Sequence, residues 1–272
     1  MPLRYLKWLK KIETKKTKDK KDVEIWFFDY DDTDDALLAE WANHFRNMYC
    51  DDAKIDSYRG KNFSKKDYLN QIKFPDISNP PGPSTRAGDF SELLIADFLE
   101  YTENYFVPRT RYNKKVNKDL STPGCDVIAM KIDDADNPSF NDKLLVFEVK
   151  ADLTSSYSSS KISRLQDAIN DSKKDAFRIA TSLAAMKERF LDENQLDLST
   201  LIERFQNPLD NAYQKQFGAA AVYSTGYYDK KLIKKTSCEN HSYKDNLRLI
   251  VVTGKNLMKL CNLIYQRAAD EA

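Results

Sequence analysis

From residue 90 onward the apolar residues switch repeatedly between helical and strand spacing. That alternation restricts the fold more than any other feature of the chain. Phe90, Leu93, Leu94 and Phe98 share one face of a helix predicted over 90–101. Apolar runs then predict strands over 126–131 and 144–151. Helical patterns return over 161–174, 175–190 and much of 196–205, and strands rich in Val, Ile and Ala over 217–223 and 247–253. A last helix over 256–269 carries Leu257, Leu260, Cys261 and Ile264 on one face. This order predicts an α/β fold, a mixed central sheet flanked by helices.

The first 84 residues read differently. Tyr5, Trp8, Leu9 and Ile12 at helical spacing, among Arg4, Lys7, Lys10 and Lys11, predict a basic amphipathic helix over 1–12. A charged connector over 14–22, a strand over 23–28 and a helix over 34–50 are expected next. Asn79-Pro80-Pro81-Gly82-Pro83 is incompatible with a helix interior and marks the best domain boundary. The expected organisation is an N-terminal α/β extension over 1–84, available for a partner, and a main domain over 85–272.

Composition narrows the class. Hydrophobic residues make up 41% of the 272, enough for a packed core, so disorder is excluded. No apolar run approaches the roughly 20 residues of a membrane span, and no secretory h-region follows the basic start. The net charge of +1 argues against nucleic acid only if it is evenly spread. It is not: residues 1–21 carry nine Lys/Arg against two acids, and residues 22–56 carry two against eleven. Arg109, Arg111, Lys114 and Lys115 lie in an acid-free basic segment that could follow a phosphate backbone, with Arg164 and Lys174 further on; solvated loops are the alternative. Cys50, Cys125, Cys238 and Cys261 form no Cys-x-x-Cys pair, so reduced thiols in a cytoplasm are expected. Cys238-Glu-Asn-His241 is half of a zinc spacing without its other half.

Two motifs carry chemistry. Asp29-Tyr-Asp31-Asp-Thr33 after a strand resembles the nucleophile loop of haloacid dehalogenase phosphatases, but no later strand ends in the acidic pair that such chemistry needs. The alternative is an acidic helix N-terminus, favoured by the helix dipole. The second motif is Leu-Leu-Val-Phe-Glu148-Val-Lys150-Ala. Strand period puts Glu148 and Lys150 on one face of an apolar strand, where burying two charges is costly without a reason. If 126–131 and 144–151 pair antiparallel across the polar stretch between them, Asp126 lies beside both. Two carboxylates at a strand end suit Mg²⁺ (or Mn²⁺), a hard cation that activates water. A neighbouring Lys can position that water and offset the charge of a phosphodiester transition state. Glu92 could complete the site, or serve Asp89-x-x-Glu92 as a capping box. Gln166 could orient a ligand or bind phosphate, or lie on an exposed helix face.

In chain order these are a helix Glu, a strand Asp, a strand Glu-x-Lys and a helix with Gln. That resembles the PD-(D/E)xK nuclease superfamily over about residues 86–190, with Cys125-Asp126 in place of Pro-Asp. The local wording is similar to the HamA family, the nuclease subunits of Hachiman anti-phage defence: Gly88-Asp-Phe-Ser-Glu92-Leu-Leu, Gly124-Cys-Asp126-Val, Phe147-Glu148-Val-Lys150 and Arg164-Leu-Gln166-Asp-Ala-Ile-Asn-Asp-Ser-Lys-Lys-Asp175. The resemblance implies a restriction-endonuclease-like core and a metal-dependent DNA nuclease working with a HamB-type helicase. It also implies that Asp126 and Glu148 bind Mg²⁺, that Lys150 serves the water and transition state, and that Glu92 and Gln166 assist. The competing expectation is a non-catalytic DNA- or helicase-binding subunit on the same scaffold.

Overall fold

Six strands form one mixed sheet in the order β1-β2-β6-β5-β4-β3 in the computed structural model, which describes residues 3–154 and 163–272. They are β1 Leu9–Lys16, β2 Asp22–Phe28, β3 Val127–Lys131, β4 Lys143–Asp152, β5 Gln214–Ser224 and β6 Leu247–Gly254. β2, β6, β5 and β4 run parallel, while β1 and β3 pair antiparallel at the two ends. The parallel interior strands are covered on both sides, so they read as continuous Val, Ile, Leu and Ala runs. The expected α/β class, a mixed sheet flanked by helices, is the one observed.

The helices are α1 Asp35–Tyr49, α2 Asp52–Tyr58, α3 Lys65–Tyr68, α4 Gly82–Asp97, α5 Arg164–Ser172, α6 Asp175–Asp192, α7 Leu196–Gln206, α8 Lys230–Lys235 and α9 Leu257–Asp270. One core joins α1, α4 and α9 to a sheet face through Trp41, Phe45, Leu94 and Ile264. The other joins α5, α6 and α7 to the opposite face through Leu165, Leu183 and Ile202. Asp34 caps α1 by accepting the Leu37 N–H, and Ser163 caps α5 by accepting the Gln166 N–H, each at 3.1 Å. The helix expected over 161–174 begins at Arg164; residues 161 and 162 lie outside the described residues.

One expectation for the N-terminal region is corrected. The predicted helix over 1–12 is a short 3-10 helix, Arg4–Trp8, that passes directly into β1; Met1 and Pro2 lie outside the described residues. Tyr5 and Trp8 are buried, as a helix face would be, but three residues per turn satisfies the same spacing. Ile12 sits half-exposed where β1 shifts register between Lys11 and Glu13. β1 thus fills much of the expected connector and presents Lys10, Lys11, Lys15 and Lys16 along the end of the sheet. At the other end Phe106 exchanges backbone hydrogen bonds with Met130 of β3 at 2.7 and 2.8 Å.

The boundary expected at 84/85 falls within a helix. α4 begins at Gly82, with Pro83 in its first turn, and runs unbroken through that point. Proline fits a first helical turn, where the missing N–H has no partner to lose. Trp41 of α1 stacks on Tyr5 with centroids 4.0 Å apart and meets Phe90 of α4 at 5.5 Å. The first 84 residues therefore share one sheet and one apolar core with the rest.

Candidate active site

β3 and β4 pair antiparallel with Val127 opposite Phe147, which sets Asp126 beside Glu148. Gly124 makes the turn before them at φ 119°, and a Cβ there would come within 2.8 Å of Ser182 Oγ. The same hydroxyl accepts the Cys125 N–H at 3.0 Å, so α6 holds the strand entry. Asp126 Oδ2 accepts the Val149 N–H at 2.9 Å, and its Oδ1 accepts from Arg111 at 3.1 Å.

Glu148 is 3% exposed within β4. Lys150 Nζ donates to Glu148 Oε1 at 2.6 Å and lies 2.9 Å from Asp171 Oδ2. Burial works against the Lys150 charge, but these carboxylates raise its pKa above the ordinary lysine value. Burial and the nearby Asp126 push the Glu148 carboxyl up, against the pull of Lys150. Two residues unforeseen in the sequence complete this side. Asp175, at the start of α6, is fully buried, and burial with Glu148 and Asp126 pushes its carboxyl up to about 7. Arg178, one turn on, lies 3.6 Å from Asp175 and 3.7 Å from Glu148. Among the described residues, Glu148 Oε2 and both Asp175 oxygens have no hydrogen-bond partner.

Glu92 enters from inside α4, 6% exposed. The capping-box alternative falls, because Asp89 is seven residues into that helix rather than at its start. Glu92 accepts from Tyr112 Oη at 2.9 Å and lies 3.7 Å from Arg111. Burial outweighs Arg111 and pushes its carboxyl up to about 8. In the unfolded chain a Glu loses its proton near pH 4.3. Between there and pH 8 the folded state binds the extra proton, so this group's contribution to stability falls as pH rises and stays lost above pH 8. Glu92→Gln should accordingly melt higher than the parent at pH 8, and the gap should close toward pH 5. A differential scanning fluorimetry series across that range checks it.

Glu92, Asp126, Glu148 and Lys150 line one open cleft of about 770 Å³, together with Arg111, Arg164, Asp171 and Arg178. Gln166 is not brought there. Its amide faces the other way and exchanges hydrogen bonds with the Ser237 backbone at 2.8 and 3.1 Å, tying α5 to the loop after α8. The basic segment is also largely internal. Arg109 is buried on Asp97 (2.6 Å) and Glu100, and Lys115 is buried on Asp89. Neither can follow a phosphate backbone, because each neutralises a buried acid that sequence distance concealed. Arg111 is buried too, with its guanidinium on the Thr122 and Cys125 carbonyls, and it forms the cleft wall. Lys114 pairs with Asp192 at the surface, Arg164 with Asp167 and Lys174 with Asp171, all with exposed cationic side chains. Lys115→Ala should cost about 3 kcal/mol by stranding Asp89, whereas Lys114→Ala should fall within about 0.5 kcal/mol of the parent; urea melts of both distinguish them.

The remaining motifs have local duties. Asp31 accepts from the Thr33 backbone and hydroxyl at 2.9 and 2.6 Å, and Asp34 is the α1 cap. Both ring nitrogens of His241 are engaged, by the Ser172 hydroxyl and the Tyr243 N–H.

A family model described as HamA matches residues 4–268, nearly the whole chain. The chain belongs to the HamA family. HamA membership supports a role in anti-phage defence, the Hachiman system being the family's setting. The match includes the N-terminal strands as well as the cleft, so the HamA unit spans the full sheet. No curated protein and no solved structure matches the chain. Among the described residues no helix is long and apolar enough to cross a membrane.

Proposed function

We propose that this HamA chain is the DNA-cleaving effector of an anti-phage complex, a metal-dependent deoxyribonuclease of the PD-(D/E)xK type. It would act in the cytoplasm with a helicase partner. The observation that carries the reading is the hairpin that sets Asp126 beside the buried Glu148 and its Lys150 partner in an open cleft. Asp126, Glu148 and Glu92 would hold Mg²⁺ or Mn²⁺. The donors are of the right kind, all carboxylate oxygens, and Glu148 and Asp175 have unspent acceptors. Bound there, the ion would supply Lewis-acid stabilisation and an activated water.

The chain's own residues do the rest. Lys150, held by Glu148 and Asp171, presents an ammonium where a phosphodiester gains charge. Arg164 and Arg178 offer cations along the cleft for the flanking phosphates. Val149 N–H fixes one oxygen of Asp126, so its other oxygen is aimed by the backbone.

A specific observation favours a second reading, a DNA- or helicase-binding subunit without catalysis. Asp126 and Glu148 already have cationic partners within the protein, Arg111 at 3.1 Å and Lys150 at 2.6 Å, as purely structural ion pairs would. The test is a nuclease assay on the protein purified with and without its neighbouring gene product. The nuclease reading expects plasmid cleavage in Mg²⁺ and none in EDTA. The binding-subunit reading expects no cleavage in either, with phage protection intact in Glu148→Gln.

A further inference from the structure

Arg178 is held less closely than Arg204, Arg46 and Arg248 are. Arg204 meets Asp142 with two contacts of 2.6 and 2.7 Å, Arg46 meets Asp52 at 2.6 and 2.7 Å, and Arg248 holds both oxygens of Glu103 at 2.6 Å. Arg46 and Arg248 make the forked pairs expected of a structural guanidinium, and Arg204 sets two nitrogens on one oxygen of Asp142. Arg178 instead stands 3.6 Å from Asp175 and 3.7 Å from Glu148, with hydrogen-bond geometry to neither. Its side chain is 38% exposed to the cleft, while the two carboxylates beneath it are buried at 0% and 3%. Three carboxylate oxygens thus share one loosely placed cation. Buried carboxylate oxygens without partners are costly, and one distant guanidinium leaves most of that cost standing. α6 produces the arrangement, because Asp175 and Arg178 are one turn apart on the face turned toward β4.

We infer that Arg178 is a displaceable counter-cation, and that a divalent metal ion takes its place against Glu148 with Asp175 as a further carboxylate ligand. The released guanidinium, already at the cleft surface, is then free to take a phosphate of the bound strand. The exchange puts a divalent cation on the buried acids in place of a monovalent one, so two buried carboxylates meet two positive charges, and the arginine charge moves outward onto an anion. This rests on the metal-dependent reading above, to which it adds a ligand and an order of events.

The test is Mn²⁺ binding to the whole protein without DNA, followed by the loss of the free-ion signal in electron paramagnetic resonance. Removing a competing unit charge about 4 Å away should tighten Mn²⁺ binding by about tenfold in Arg178→Gln. Arg178→Lys, which keeps the charge, should stay near the parent value. Asp175→Asn should lose the gain when combined with Arg178→Gln. Circular dichroism and melting of each variant confirm folding, and Arg178→Met serves if the Gln variant fails to fold. Mn²⁺ affinity unchanged in Arg178→Gln, or raised equally in Arg178→Lys, overturns the exchange while leaving the metal site intact, provided Glu148→Gln abolishes binding. Retention of the gain in the double variant removes Asp175 as a ligand. No Mn²⁺ binding by the parent or any variant overturns the metal-dependent reading and this inference with it.

Discussion

Glu148→Ala and Lys150→Ala should each lower Mg²⁺-dependent plasmid cleavage by at least about a hundredfold, the scale for removing one group that stabilises transition-state charge. The stability of Glu148→Gln should move the other way. Burial and Asp126 already push the Glu148 carboxyl up, so its ionised form is held in the fold at a cost. Removing the charge relieves Asp126 and Asp175, and the variant should melt at or above the parent temperature at neutral pH. Loss of activity with retained or raised stability is the pattern of a functional site. Gln166→Ala should invert it: cleavage close to the parent, with a lower melting temperature from the lost bonds to Ser237. Cleavage by Lys150→Ala equal to the parent would sink the catalytic assignment.

The largest stability effect should come from Trp41, far from the chemistry. It is 2% exposed and touches Tyr5, Trp8, Phe28 and Phe90, residues from the 3-10 helix, β2 and α4. Trp41→Ala should cost about 3–5 kcal/mol, a large share of a total of roughly 5–15 kcal/mol. The melting temperature should fall by roughly 10 °C at about 2–4 °C per kcal/mol. The residues it joins span the N-terminal region and the helix that carries Glu92, so the whole chain should still melt in one calorimetric transition. Two separated transitions, with only the first shifted, would show instead that residues 1–84 fold by themselves.

The hairpin and its carboxylates were legible in the sequence because everything that defines them is local. A period of 2 places Glu148 with Lys150, and a polar stretch between two apolar runs makes a hairpin, which sets Asp126 opposite. The helix α9 and the strands β5 and β6 were legible for the same reason, since one uninterrupted pattern covers each. What failed depended on distant partners. Arg109 and Lys115 look like a surface patch until Asp97 and Asp89 are folded against them. Asp175 sits in the quoted wording without a role, because only the packing of α6 on β4 brings it to Glu148, 27 positions away. Tyr5 and Trp8 fit a helix, and only pairing with β2 decides that the chain straightens at Leu9.

The two ends of the sheet bear on how copies of this protein behave together. An unguarded end strand is a template for adding a strand from a neighbouring chain. Here β3 has its outer groups partly engaged by Phe106, and β1 carries a register shift and four lysines, features that discourage flush pairing. Strand-by-strand polymerisation is therefore discouraged at both rims, and crowding many copies into one cell should not readily string them into fibres. Association with other molecules is left to the helical faces and the loops around the cleft.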